Sequence, residues 1–400
     1  MFAPRISDIL ETSGSIPQTQ GGLFMNRVVY VGMDVHKDTY SLCGFDAQNQ
    51  CFLTETTIKS ETVLVLKYVK SIENRYKDDE VAVICGYEAG PTGFSLCRDL
   101  QKAHVSCVVM APSSLPKSPD NKRRKTDRID ARDLALHLAH HTYKAVNVLS
   151  PEMESIKELT RVRASATKAK KRAKQNLISF LLRKGMVYPF GGRAKYWTQQ
   201  FSAWLRTLEF ANPLDRYSFE EYLTEANHQI ARVALLDAKI AEAAENQLIE
   251  ADVKKLCCFS GISTYTAVSL ISEVGDFKRF EKASHFANYL GLCPGVHSSG
   301  LSSQNLGITK AGNGNLRRLL IEASQSLGHS LKCGKKPLRV LSRQKGMDPS
   351  IVAYADRAVA RVKRKRTAMI IRGVNVNKAT TAAAREMACF IWGMMTNNVA

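Results

Sequence analysis

Four acidic residues have the types and spacing to build a cation site. Asp34 closes the apolar run RVVYVGMDV (27–35) and Glu88 closes VAVICGYEA (81–89), so both stand at strand ends. Asp127 and Asp130 lie three apart at the head of a helical segment and therefore share one face. Strand-end carboxylates on neighbouring strands come close together, and a helix packed across that edge adds the third and fourth. Such a group is a hard oxygen site for Mg²⁺ or Mn²⁺. Two ions held about 4 Å apart can clamp a phosphodiester and activate its displacement. Each acid alone has a plainer role: an Asp after a strand commonly serves a turn, Asp127 can cap its helix, and Asp130 suits the first turn. The pair is nevertheless embedded in KRRKTDRIDARD (122–133), where acids among so many cations fit ions held beside a polyanion. Asp133 is a substitute on the same helix. Asp38, Asp46 and Asp99 read as surface or turn acids.

These acids need a sheet and helices to position them. Residues 27–35 form an apolar, β-branched run that predicts a buried strand; 41–49 and 51–59 predict two more around a short turn. A helical period follows at 61–76, then a buried strand at 81–89, a short helix at 94–103, a strand at 105–112 and a helix at 128–141. Three meander strands followed by alternating helices and strands match the ribonuclease H-like fold, as in RuvC-type nucleases. Residues 150–250 are long, charged and helical, with a second long helix expected over 219–250 whose apolar spacing suits a coiled coil or helical hairpin. Pro189, Gly191, Gly192 and Pro213 punctuate the ground between.

Charge names the class of partner. The 400 residues hold 57 Lys and Arg against 37 Asp and Glu, a net charge of +20, which favours a polyanion. Residues 160–184 contain nine basic residues and no acid, and 332–366 contain twelve basic and two acidic residues. Candidate nucleic-acid contacts are Arg123, Arg124 and Lys125 beside the acidic pair, and Lys170, Lys171, Arg172 and Lys174 in the basic helix. Lys310, Arg317 and Arg318, with Asn313, stand at a loop–helix junction that suits phosphate binding. No uncharged apolar run is long enough for a membrane span, and the first 24 residues lack the apolar core of a secretory signal. The ten cysteines include no CxxC pair and mostly sit in apolar runs, as expected of reduced cysteines in a cytoplasmic protein. Residues 1–24 read as a disordered polar arm, with Met25 just before the first regular segment.

Three smaller signals remain. CFSGISTYTAVSLISEVGDF (258–277) resembles a helix-hairpin-helix element, whose Gly turn presents N–H groups to phosphates. GLCPGVHSSGLSSQNLGITKAGNGNLRRLLIEAS (291–324) reads as a Gly- and Ser-rich loop followed by a helix. A serine in such a loop is ordinarily a turn residue. HLAHH (137–141) sets histidines four apart on one helix face, but no third zinc ligand is apparent and a surface or core role is favoured.

Taken together, VGMDVHKD (31–38), YEAGPTG (87–93), KTDRIDARDLA (125–135) and YLGLCPGVHSSG…ITKAGNGNLRRLL (289–320) resemble the insertion-sequence one-ten family of transposases, the DEDD type. Pilin-gene DNA invertases are relatives of that family. The motifs run in the family's order over about 27 to 325. The resemblance implies an α/β plus α fold class: a RuvC-like N-terminal domain at 25–148, a basic helical, coiled-coil segment at 149–250, a mainly helical transposase domain at 251–330 and a basic helical tail at 331–400. It carries the family's four acids onto Asp34, Glu88, Asp127 and Asp130 as Mg²⁺ ligands, and its essential serine, which precedes a glycine, onto Ser299, with Ser298 as neighbour. It further implies DNA as substrate, a structured guide RNA encoded by the element, homo-dimers or tetramers, and action on the nucleoid of a prokaryotic cytoplasm. One departure is the GIS at 261–263 where GIG is common.

The mechanism that follows is attack by Ser299 on the scissile phosphate to give a covalent phosphoserine link, assisted by Mg²⁺ at the carboxylates. The serine and the acids stand more than 160 residues apart and must meet in space, within one chain or between subunits. The competing readings are a metal-only RuvC-like nuclease or Holliday-junction resolvase, a DNA invertase, and a nucleic-acid-binding protein whose acids only cap and bridge.

Overall fold

The computed structural model describes residues 27–77, 80–116, 126–192, 196–299, 302–329 and 336–399. The arm at 1–24 and the trio Arg123, Arg124 and Lys125 lie outside the described residues. The chain divides into two compact units, Met1–Val148 and Leu149–Ala400.

The first unit carries the expected order of elements: β1 Arg27–Val35, β2 Thr39–Asp46, β3 Cys51–Lys59, α1 Thr62–Arg75, β4 Val81–Glu88, α2 Ser95–Lys102, β5 Ser106–Met110 and α3 Asp127–Ala139. They form one mixed sheet in the order β3-β2-β1-β4-β5, with β1 antiparallel to β2 and parallel to β4. Side chains alternate across β1. Val29, Val31 and Met33 join α1 and α2 in one core cluster, whereas Tyr30 packs with Leu134 and Leu138 of α3 on the other face. Asp34 is therefore on the α3 face, as is Gly32 two residues before it.

Glycine makes that face flat. Gly32 and Gly86 are register partners in β1 and β4. A Cβ on Gly32 would lie 2.1 Å from the Ala131 carbonyl oxygen and 2.3 Å from the Ala135 nitrogen; one on Gly86 would lie 2.7 Å from Leu138 Cδ2. The helix backbone thus rests directly on the sheet. Arg132 holds its outer side by pairing with Glu55 of β3 and covering the Phe52 ring at 5.3 Å. At the far end of β2, Asp46 is no surface acid: its side chain is fully buried and takes hydrogen bonds from Arg27, Tyr76 and Asn49. Burial raises its pKa, but the backbone N–H of Asn49, the Tyr76 hydroxyl, the backbone N–H of Gln48 and Arg27 together bring it below the usual value.

The second unit opens with α4 Pro151–Arg183, followed by α5 Gln199–Arg206 and α6 Pro213–Ala243. Ion pairs Arg163–Asp237 and Lys184–Asp215 fix α4 and α6 as antiparallel neighbours. α6 starts six residues before the expected 219 because Asn212 caps it and Pro213 occupies its first turn. It ends at Ala243, and a turn leads to α7 Glu250–Cys257 and α8 Thr264–Val274. Next come α9 Ala283–Tyr289, β6 Pro294–Ser299, β7 Ser302–Ile308, α10 Gly314–His329, α11 Leu338–Gln344, α12 Pro349–Ile371 and α13 Val376–Met395. The Gly- and Ser-rich stretch read as a loop is thus an antiparallel two-stranded ribbon, with Ser298 opposite Ser303 and Ser299 opposite Ser302.

One buried carboxylate ties the base of that ribbon to the basic helix. Glu273 of α8 has a 4% exposed side chain and receives Arg161 of α4 through two bonds of 2.8 and 3.2 Å. Asn313 donates to the same carboxylate at 3.0 Å, while its own oxygen accepts from Asn315 and Leu316 and so caps α10. Gly291 and Gly312 complete the clamp: both have positive φ, and a Cβ on either would fall within 2.2 Å of a backbone oxygen.

Two stability predictions follow from these contacts. Gly32→Ala forces α3 off the sheet and lowers unfolding free energy by about 1–3 kcal/mol or more, read in denaturant melts. Glu273→Ala removes the acceptor shared by Arg161 and Asn313 and costs about 1–3 kcal/mol, whereas Glu273→Gln, which keeps an acceptor, costs less. Equal melts for Glu273→Ala and wild type would show that the network contributes nothing.

Candidate functional site

The carboxylates gather where the first turn of α3 meets the ends of β1 and β4. Thr126 caps α3, its hydroxyl accepting from the Ile129 N–H, so Asp127 is the first helical residue and Asp130 lies one turn on. Both acids sit in the first turn of the helix. Asp34, His36 and Asp127 each offer a ligand atom, and these atoms lie within 4.8 Å of one another. His36 Nε2 is 3.1 Å from an Asp34 oxygen and 3.8 Å from one of Asp127. The Asp34 side chain is only 19% exposed, whereas those of His36 and Asp127 are more than half exposed. Burial raises the Asp34 pKa, His36 opposes that shift, and the negative charges of Asp127 and Asp130 add to it. A half-buried carboxylate facing two further acids is where a divalent cation relieves repulsion, so the residues fit such an ion.

Glu88 belongs to the same edge by register. Gly32 pairs with Gly86 and Met33 with Tyr87, so Glu88 follows level with Asp34, two residues beyond Gly86 and on its face of the sheet. It is exposed and stands outside the three-residue group, as does Asp130. His36 is the residue that sequence reasoning passed over. The signal was available: it stands two residues after Asp34 on extended chain, where alternation returns a side chain to the same face. An imidazole there can ligate a cation or hold the Asp34 carboxylate in place by a hydrogen bond.

The other histidine signal dissolves. α3 ends at Ala139, and His141 has a φ of 52°, so His137 and His141 do not share a helix face. His137 instead contacts the Thr142 hydroxyl at 2.7 Å, and His141 meets the Tyr30 ring edge-on. The turn at 261–263 is also used internally. Gly261 has a φ of 95°, and a Cβ there would lie 2.8 Å from the Ala323 carbonyl oxygen, so this glycine lets α10 pack close. Ser263 caps α8 by accepting from the Thr266 N–H.

Among the basic candidates, Lys171 and Arg172 are exposed on α4 and Lys170 is half-buried. Lys174 turns inward, its ammonium 4.4 Å from the centre of the Trp197 ring, and burial, with Lys170 nearby, lowers its pKa. Lys310 is exposed. Arg317 donates to the Leu290 carbonyl at 2.9 Å, and Arg318 pairs with Glu322 and Asn315, so both hold the surroundings of the ribbon.

Comparison with known proteins agrees over both units. A family model for DEDD-type proteins described as "Transposase" matches residues 31–185, and a model described as "Transposase IS116/IS110/IS902 family" matches 253–336. The chain is 32% identical over 369 residues to the y4qE protein of Sinorhizobium fredii, covering 92% of this chain and 88% of that one. It is 31% identical over 345 residues to the transposase for insertion sequence element IS1533 of Leptospira borgpetersenii, covering 85% and 96%. Identity to the transposase for insertion sequence element IS1111A of Coxiella burnetii is 24% over 337 residues, covering 83% and 88%. No helix among the described residues is long and apolar enough to cross a membrane. With similarity running through nearly the whole length of these relatives, and an acidic edge in the region of the DEDD match, the chain belongs to the IS116/IS110/IS902 family of transposases, enzymes that cut and join DNA.

Proposed function

We propose that this transposase cuts and rejoins DNA through a phosphoserine link at Ser299, assisted by Mg²⁺ at Asp34, Glu88, Asp127 and Asp130 and directed by a structured RNA. The observation that carries the metal part is the approach of Asp34 and Asp127 to one another beneath the first turn of α3. The sheet order and the three-strand, then alternating, chain path support a RuvC-like domain at 25–148. The antiparallel α4–α6 pair supports a helical arm at 149–250, followed by the serine-bearing domain at 251–330 and the basic tail at 331–400. Self-association as a dimer or tetramer belongs to the same reading.

The chemistry balances without a cofactor that is consumed. The Ser299 oxygen bonds to phosphorus, the bond from phosphorus to the 3′-oxygen breaks, and the serine proton is exchanged for one on the released 3′-hydroxyl. Attack by another 3′-hydroxyl reverses the step, restores the serine and joins the strands, so no ATP is required. Bound Mg²⁺ supplies charge neutralisation at the phosphate and stabilises the departing oxygen. Asp34 and Asp127 would hold it, and His36 keeps Asp34 oriented. Exposed Lys171, Arg172 and Lys310, with Arg123, Arg124 and Lys125, provide cations for the DNA and RNA backbones. A metal-only nuclease is the second reading, favoured by His36: an imidazole 3.1 Å from Asp34 is placed to accept a proton from an attacking water.

A trapping assay separates the two. Full-length protein, the RNA transcribed beside its gene, Mg²⁺ and end-labelled DNA carrying the element junction are run on denaturing gels. Wild type gives a protein-linked DNA band, Ser299→Ala loses it while Ser298→Ala keeps it, and Asp34→Asn or Asp127→Asn slows its formation by about a hundredfold or more. Cleavage by Ser299→Ala with no linked band in wild type would establish water as the nucleophile. Omission of the RNA abolishes site-specific cleavage, and chelation of the metal abolishes all cleavage.

The raised Asp34 pKa gives a separate test. Because the folded carboxyl holds its proton more readily than the unfolded one, its ionised form destabilises the ion-free fold at neutral pH, and this cost disappears as pH falls through the folded value. Asp34→Asn therefore melts higher than wild type at pH 7 without divalent ions, the gap closes in acid, and Mg²⁺ stabilises only the wild type. A lower melting temperature for the variant at neutral pH would contradict the assignment.

A further inference from the structure

The basic stretch near the C-terminal end has no part in the chemistry proposed above. α12 sets Tyr354, Ala355, Ala358, Val359 and Val362 into the core, which fixes one face of the helix inward. The opposite face exposes Arg357, Arg361 and Arg364, spaced four and three residues apart, with Arg372 exposed just past the helix end. Those three arginines rise about 6 and 4.5 Å apart along the axis on one side of the helix. Residues 357–372 contain seven basic residues and no acid.

The helices packed around α12 answer this charge with one carboxylate. Glu386 of α13 takes Arg361 at 2.6 Å and Lys365 at 2.5 Å. Arg366 donates to the Thr380 hydroxyl, Arg357 to the Val399 carbonyl and Arg372 to the Ala368 carbonyl, all neutral acceptors. Among the described residues, Lys363 and Arg364 have no carboxylate partner. A solvated helix face ordinarily mixes both signs; this one leaves about six positive charges unanswered over roughly 22 Å.

We infer that the exposed face of α12 and its continuation to Arg372 is a binding surface for the phosphodiester backbone of nucleic acid. It lies beyond both segments that the family models match, which end at 185 and 336. Arginine forks suit phosphate oxygens, and a duplex offers about one negative charge per 1.7 Å. A second copy of this chain is a poor occupant, since it brings a net charge of +20 to the same face. Contacts of this kind set register and affinity without reading sequence.

The test compares the full-length protein with a triple variant, Lys363→Gln, Arg364→Gln and Arg372→Gln, which leaves the Glu386 pairs intact. A charge-matched control carries Lys67→Gln, Lys70→Gln and Lys77→Gln, exposed lysines of the first unit. Affinity for random-sequence duplex DNA and for a hairpin RNA is followed by fluorescence anisotropy over a salt series, with melting curves checking the fold. The α12 variant loses about tenfold or more in affinity, and its log–log salt slope falls by about 2–3, while the control stays within about twofold of wild type. Loss on the duplex alone assigns the surface to DNA, loss on the hairpin alone assigns it to RNA, and loss on both assigns it to the shared backbone. Unchanged binding to both probes, or an equal loss in the control, overturns the inference.

Discussion

A glycine facing a helix backbone decides where the acidic residues end up. Gly32 and Gly86 lie side by side on neighbouring strands, and neither leaves room for a Cβ. Without side chains beneath it, α3 descends until its carbonyls touch the sheet. Its first turn then meets the end of β1, and Asp127 comes within ligand distance of Asp34. A Cβ at Gly32 would press on the α3 backbone and draw Asp127 away from Asp34. The raised pKa of Asp34 is the electrostatic counterpart of that closeness: burial and like charge both act against its ionised form.

In the second unit, the corresponding constraint is a buried charge. Glu273 has almost no contact with water, so its ionised form requires partners, and it finds them on two other elements. Arg161 comes from the long basic helix, and Asn313 from the segment that leaves the serine ribbon. A single carboxylate therefore fixes the long basic helix and the base of the ribbon in one frame. The interlocked Gly291 and Gly312 leave that base little freedom to shift. Arg317 and Arg318, which resemble phosphate ligands in the sequence, are committed to Leu290, Glu322 and Asn315, whereas Lys310, Lys171 and Arg172 stand exposed.

The element order of the first unit is legible because its strands are apolar runs with β-branched residues and its helices keep a helical period. Local chemistry was less easily read where two roles share one residue type. Pro213 interrupts a chain pattern, yet after Asn212 it starts a helix, which moved the α6 boundary. His141 continues the helical period by count, but its backbone leaves the helix, so the apparent histidine pair has no common face. The glycines and serines at 291–308 have loop composition, and only cross-strand pairing between Ser298–Ser303 and Ser299–Ser302 makes them a ribbon. Asp46 has the sequence context of a turn acid, and it does serve a turn, but burial beside Arg27 and Tyr76 is set by chain segments far away in sequence.

By itself the sequence determined the chemical vocabulary: acids at strand ends and at a helix start, a serine before a glycine, and an excess of positive charge suited to polyanions. These follow from residue type and short-range spacing, which are local properties. Tertiary structure decided which of them meet. His36 joined Asp34 and Asp127, Lys174 turned to an aromatic ring, and α12 buried one face and left its arginines outside. Each outcome depends on packing between segments distant in sequence and on the requirement that a buried charge find a partner, and neither is written in the spacing of neighbouring residues.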